Sequence, residues 1–356
     1  MKIDNQTPYS VEAIPFMGPG GQAFLTVLVK GTFTMPDQGP ALLADEQMPI
    51  AFGDEPFDED EGGSVKFESD LAPFKPRADI VLVGHAYAPP GKLVTGMDVS
   101  ARVGALRKVI RVFGDRTWQY GTFNSVRWTD PAPFDKMPLV YERAFGGVDM
   151  ANGGYCDRNL VGCGYLAKPS KKSANGARLP NIEDPDEPIR TPEDQPRPVG
   201  YGFYGRTWEP RMGLMGTFDK EYRKKYAPDP PPDFKLDYYN GAHPDLQASG
   251  YLQGGEDVEL INLSADGTLR FALPGQHPMC VVEKTYERLE AFVVEKKRES
   301  IDPARMDRSK NGSPGVELKL DTLCLMPDEK RFYMVWRGRS PVYDQTALEI
   351  EKITVA

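Results

Sequence analysis

GVELKLDTLCLMPDEKRFYMVWR, residues 315–337, places two apolar runs on either side of Pro327-Asp328-Glu329-Lys330. The runs are rich in Val, Thr, Phe, Tyr and Trp, and the four residues between them are turn formers. That combination reads as two strands joined in a hairpin. An echo lies upstream in MDVSARVGALRKVIRVFGDRTW, residues 97–118, where runs 97–103 and 108–113 flank GALR. A third pair, 257–263 and 268–273, surrounds Ser264-Ala265-Asp266-Gly267, whose Asp-Gly suits a hairpin turn. The likeness of the first two hairpins raises a duplication as one origin for the β-rich ends.

Further strands are expected outward from these pairs. Residues 24–35 (FLTVLVKGTFTM) set Leu25, Val27 and Val29 against Thr26, Leu28 and Lys30. Residues 78–88 run into the turn Ala88-Pro89-Pro90-Gly91-Lys92, and 280–286 and 289–295 add two more β runs before an exposed hairpin loop at 300–314. Helix signals are sparse: FDKEYRKKY (218–226) has Asp219 placed to cap it and Pro228 to stop it.

The chain has 356 residues, is 40% hydrophobic, and contains 33 Pro and 35 Gly. It can bury a core, but so much proline requires many turns and disfavours a helical bundle. A net charge of −9 argues against nucleic acid or an anionic membrane as partner. The N-terminus lacks a signal-peptide pattern, and no apolar run reaches the roughly 18 residues of a spanning helix, so a cytoplasmic protein is expected. Cys156, Cys163, Cys280 and Cys324 show no zinc spacing. Cys156 and Cys163 are close enough in sequence to pair, whereas a cytosolic chain keeps its thiols reduced.

Residues 151–249 are crowded with Gly, Pro, Asn and aromatics, and the acidic runs 54–61 and 184–198 read as solvated. Within this middle segment lies GYGFYGRTWEPRMGLMGTF, residues 200–218. Its glycines lack the strand before and helix after that a nucleotide loop requires. Tyr201, Phe203, Tyr204, Arg206, Trp208, Arg211, Met212 and Met215 are the residue types enriched at protein interfaces. They read either as partner-binding residues or as packing between two β domains, and Phe332-Tyr333-Met334 has the same chemistry. The fold expected is mainly β: two sandwich-like lobes, 1–150 and 250–356, joined by a loop-rich connector, 151–249, packed on both, with few short helices.

Catalytic signals are thin. His85 sits on a strand run, and His243 and His277 precede prolines. No metalloprotease, nucleophile-elbow or P-loop pattern occurs. Glu142, Glu209 and Glu256 neighbour aromatics or glycines, as glycosidase carboxylates do, but nothing in the sequence pairs them. No enzyme, cofactor or metal is expected.

Several blocks in order carry a family resemblance: YERAFGG (141–147), NLVGCGY (159–165), LPNIEDP (179–185), WEPR (208–211), GTFD (216–219), DFKLDYYNGAHPDLQ (233–247), GGEDVELINL (254–263), LDT (320–322) and VWR (335–337). Together they resemble the bacterial family catalogued as domain of unknown function 2169, with Leu160 standing where that pattern carries proline. The resemblance implies a type VI secretion effector adaptor or chaperone. Such a protein holds a toxic effector through a PAAR-like domain and aids its loading onto the VgrG spike. A carbohydrate-active or carbohydrate-binding β protein and a structural component of the secretion particle are the alternatives.

Within these blocks Tyr141 and Phe145 read as anchors, the Glu142–Arg143 pair as a loop fastener, and Gly146-Gly147 as a turn with positive φ. Trp336-Arg337 reads as a strand-end aromatic beside a loop-pinning arginine. Asn240 and Gln247, with Asp237, Tyr238, Tyr239, His243 and Asp245, either satisfy buried backbone or form a polar rim. Glu256 is counted with these structural motif residues.

Overall fold

The computed structural model describes residues 2–17, 23–37, 39–58, 63–121, 125–285, 315–341 and 349–356. The hairpin expected at 315–337 is present: strands Lys319–Met326 and Arg331–Pro341 are antiparallel, with a short 3-10 turn Pro327–Glu329 and Lys330 in the left-handed region at φ 49°. The sheet around it has the order Ser10–Met17, Ala23–Thr34, Arg331–Pro341, Lys319–Met326, Asp79–Leu82. Its neighbours are antiparallel except the last pair, which is parallel. A second five-stranded sheet runs Ile182–Glu183, Leu106–Phe113, Gly96–Val103, Asp257–Ser264, Gly267–Ala272, antiparallel throughout. A four-stranded sheet joins Lys2–Asn5, Glu349–Val355, Cys280–Thr285 and Gly315–Val316.

The chain is therefore mainly β, as its composition and patterning require. The division into lobes 1–150 and 250–356 is not the one the sheets make, because each five-stranded sheet draws strands from both segments. Hairpins follow from local turn chemistry, but the outer partner of each hairpin is chosen across the whole chain. Arg331–Pro341 takes Ala23–Thr34, and Gly96–Val103 takes Asp257–Ser264. One hydrophobic cluster runs through both sheets: Phe332 stacks on Phe33 within the first sheet and on Phe271 of the second, each at 5.5 Å, and the Phe271 contact ties one sheet to the other. The run expected at 78–88 divides into Asp79–Leu82 and His85–Tyr87, which join different sheets. The expected strand at 289–295 and loop at 300–314 lie outside the described residues.

Ala23–Thr34 is buried on both faces rather than alternating. Leu25, Val27, Leu28 and Val29 join the hydrophobic cluster, while the polar side chains of Thr26 and Lys30 meet a layer of loop. Thr26 Oγ1 donates to Pro73 O at 3.0 Å, and Lys30 Nζ donates to Asp70 Oδ2 at 2.9 Å. Gln47 brackets the Thr32 backbone, accepting from its N–H at 2.8 Å and donating to its carbonyl at 3.0 Å. Loop backbone packed on a sheet needs such partners, because an unpaired buried polar group is unfavourable.

The middle segment closes two sheet edges. Ile182–Glu183 extends the second sheet at Val112 and Arg111. Residues near 240–250 cover the edge strand Asp79–Leu82 of the first: Asp79 bridges Gln247, and Ala248 N–H donates to Ala78 O at 2.8 Å. Covering an edge in this way removes a template for aggregation. The helix Lys220–Lys225 forms with Asp219 as its cap, accepting from Tyr222 N–H at 2.8 Å. Among the described residues no helix is long and apolar enough to cross a membrane.

Asp79, fully buried, holds this edge. Its Oδ2 accepts from Lys75 Nζ at 2.7 Å and Gly241 N–H at 2.8 Å, and Oδ1 accepts from Asn240 Nδ2 at 2.9 Å. Asp79→Ala strands the Lys75 ammonium and two further donors, so denaturant unfolding should show a loss of about 3–5 kcal/mol. A loss below about 1 kcal/mol would mean that the edge is held by apolar packing instead.

Candidate functional site

The stretch 200–218 is organised by three aromatic rings. Tyr141, on the 3-10 turn Tyr141–Arg143, meets Tyr204 at 5.7 Å and Trp208 at 5.1 Å, and Tyr204 meets Trp208 at 5.3 Å, all edge to face. Glycine is needed for this approach: a Cβ on Gly200 would lie 2.8 Å from the Tyr141 ring, and one on Gly205 would lie 2.7 Å from Trp208. Tyr201 links the sheets. Its carbonyl accepts from Leu82 N–H at 2.9 Å, and its hydroxyl reaches the Lys108 carbonyl, also at 2.9 Å. Phe203 bridges Ala242 through backbone.

Tyr201, Phe203, Tyr204, Trp208 and Arg211 are at most 5% exposed. These five candidate partner residues are packed in the core, and Tyr204 and Arg211 reach only a cavity beside it. Arg206 and Arg211 grip one buried carboxylate, Glu68 Oε1, each at 2.7 Å. Arg211 also donates to the Tyr204 and Tyr238 carbonyls at 2.7 and 2.8 Å. Met212, 44% exposed, and half-buried Met215 lie on the short turn Met212–Met215 and reach the surface.

A cavity of about 330 Å³ opens beside this core, lined by Tyr204, Arg211, Asn240 and Gln247 and by apolar Leu214 and Pro244. Four residues singled out from sequence in two separate blocks thus meet. Asn240 gives both amide protons away, to Arg77 O at 2.8 Å and to Asp79, so the block 233–247 satisfies buried backbone at this point. Among the described lining residues the single carboxylate is Asp237, paired with Arg77 at 3.1 Å.

The remaining motif residues staple loops. Glu142 accepts from Ser64 N–H and Oγ, Arg143 donates to Asn181 Oδ1 at 3.0 Å, and Gln247 donates to Ala242 O at 3.0 Å. Gly146 and Gly147 have φ of 151° and 96° and pass close to Asn159 and Gly162 carbonyls. Arg337, 4% exposed, donates to Asp321 Oδ2 at 2.6 Å and to the Asp70 and Ala72 carbonyls, while Trp336 stacks on Tyr9 at 5.7 Å. Glu209 accepts from Gly213 N–H, and Glu256 from Gln253 and Gly254 N–H. With Glu142 these three carboxylates each hold nearby backbone, in three different loops. The His85 ring faces Asp328 Oδ2 at 2.5 Å, and Tyr87 donates to Asp328 Oδ1 at 2.8 Å. The four cysteines are free, and burial raises the Cys163 thiol to about 11 and those of Cys280 and Cys324 to about 12.

A surface feature that the sequence reading passed over lies between two of the motif blocks. Asp149 accepts from Ala151 and Asn152 N–H, from Asn152 Nδ2 and from Ala167 N–H at 2.9–3.1 Å. Val148 pairs with Tyr155 across this turn. The ordered loop leaves Met150 88%, Tyr155 61%, Val148 52% and nearby Leu160 38% exposed. The available signal was the turn Asn152-Gly153-Gly154 flanked by Met150 and Tyr155.

Residues 20–337 match the family described as "Uncharacterized protein conserved in bacteria (DUF2169)". No curated protein and no solved structure matches the chain.

Two outcomes test this construction. Trp208→Ala removes the ring shared by Tyr141 and Tyr204 and should lower stability by about 3–5 kcal/mol in denaturant unfolding; an intact midpoint would mean that the cluster is not a keystone. His243 stays neutral, with Nε2–H facing Pro198 O and Nδ1 accepting from Asp245 N–H. Burial first, then the Lys108 charge, lowers its pKa from 6.5 to about 4. Below pH 6.5 the unfolded chain takes up a proton that the fold refuses, so stability declines from pH 6.5 to about pH 4, by up to about 3 kcal/mol. Unfolding midpoints across that window should flatten in His243→Gln.

Proposed function

The chain belongs to the DUF2169 family of bacterial proteins, and from that premise we propose that it is a non-enzymatic adaptor or chaperone for a type VI secretion effector. It holds the effector in the cytoplasm through a PAAR-like domain, covers apolar surface there, and presents the complex to the VgrG spike by a second face. The observation that carries this reading is the Asp149-braced loop, with Met150, Tyr155 and Val148 held outward. Large apolar side chains on a pre-ordered loop lose little freedom on binding, and that is what a protein partner exploits. The loop projects from a scaffold whose acidic candidates Glu142, Glu209 and Glu256 are engaged with backbone, which supports a binding role over acid–base chemistry.

Coexpression with an effector carrying a PAAR-like domain, followed by pull-down, tests the proposal. The wild-type chain should retain the effector, while the Met150→Asp, Tyr155→Ser double variant should melt at the same temperature and bind at least about tenfold more weakly. Failure of the wild type to retain such an effector would overturn the adaptor reading. Full retention by the double variant would remove the loop as its contact.

A further inference from the structure

A second cavity, of about 200 Å³, lies at the ends of the strands Lys319–Met326 and Arg331–Pro341. Its walls include two rings, Phe74 and Tyr251, and four cations, Lys75, Lys319, Arg337 and Arg339, against two carboxylates, Glu317 and Asp321. In a chain of net charge −9 this is a local inversion of sign. The cations differ in how far they are neutralised. Lys75 donates to Asp79 and to Thr322 Oγ1 at 2.7 and 2.9 Å, so its charge is already paired within the fold. Lys319 lies 4.8 Å above the Tyr251 ring and 3.6 Å from Glu317, whose side chain is 80% exposed.

The two arginines are the unbalanced groups. Arg337 is 4% exposed, and its Nε and Nη1 are engaged, but Nη2 has no partner. A guanidinium carries five N–H donors and no acceptor, so two buried donors await an acceptor here. Arg339 is exposed, with its guanidinium carbon 4.1 Å from the Phe24 ring centroid and 5.5 Å from that of Phe74. Among the described residues it has no carboxylate partner. Stacking fixes the plane of the guanidinium while leaving its donors free, a pre-organised arrangement for a planar acceptor.

We propose that this cavity binds a carboxylate of an acidic peptide segment on a partner protein. Lys75, Lys319 and Arg337 are already paired with Asp79, Glu317 and Asp321, so the charge left to balance is that of Arg339 alone, and a planar, singly charged carboxylate matches both its charge and its fork. Phe74 and Tyr251 accommodate an apolar residue beside the acid. That the peptide belongs to the captured effector rests on the adaptor reading; carboxylate binding itself does not.

The test uses the purified full chain and a fluorescein-labelled octapeptide of alternating glutamate and phenylalanine, read by fluorescence anisotropy. The peptide should bind, and its glutamine counterpart should bind at least about tenfold more weakly. Arg339→Glu should lose binding with an unchanged melting temperature, Arg339→Lys should keep part of it, and Lys172→Glu, the same charge change on an exposed residue elsewhere, should leave it intact. Equal binding of the two peptides, or equal effects of Arg339→Glu and Lys172→Glu, would overturn the site. Inorganic phosphate should displace the peptide no better than chloride at equal ionic strength; stronger displacement would overturn the carboxylate assignment. The adaptor reading fails by a different measurement, effector retention on coexpression, so the two can fall separately.

Discussion

A single buried carboxylate, Asp79, sets the terms for how the loops of this protein meet its sheets. It sits on an edge strand, fully out of water, where a charge is tolerated only when it is paired and hydrogen-bonded. Lys75 supplies the opposite charge, and Asn240 and the Gly241 N–H supply the remaining bonds, which draws the segment around 240–250 against that edge. The same arrangement recurs at Lys30 with Asp70, Glu68 with Arg206 and Arg211, and Arg337 with Asp321. The first two join a loop to a sheet and one loop to another; Arg337 and Asp321 pair across neighbouring strands, and Arg337 then reaches the loop carbonyls of Asp70 and Ala72. Such pairs specify where a loop lies more than they add to total stability.

The aromatic stretch 200–218 follows from this constraint. Once the middle segment is drawn over the edge strand, Tyr201 and Leu82 share a backbone bond, and Tyr204 and Trp208 close on Tyr141. Residues with interface chemistry become interior because core and interface use the same side chains. What remains outside is what the scaffold holds rigidly in solvent: the loop at Val148, Met150 and Tyr155, and Arg339 near Phe74. Loops carried on a fixed framework are where binding residues concentrate.

Much of the local architecture was legible in residues. The hairpins at 96–113, 257–272 and 319–341 follow from β-rich runs bounded by turn formers, and the helix at Lys220–Lys225 follows from its Asp219 cap. For the site, the pairing of Tyr204 and Arg211 with Asn240 and Gln247 around one cavity was present only as two unconnected lists. Met150 and Tyr155 passed unnoticed because a lone methionine and tyrosine near a glycine turn carry no periodic pattern, and exposure is not encoded locally.

By itself the amino-acid sequence determined the class of structure: a β protein of many turns, hairpins at stated places, few short helices, and membership of one bacterial family. Those properties depend on neighbours along the chain, where alternation, proline and Asp-Gly act within a few residues. Tertiary structure alone decided that each large sheet would combine strands from both ends, that Trp208 would be interior, and that Met150 and Arg339 would face solvent. The physical reason is that burial and ion pairing belong to whole surfaces brought together in space. A tryptophan carries the same side chain whether it meets a partner or Tyr141, and the fold chose Tyr141.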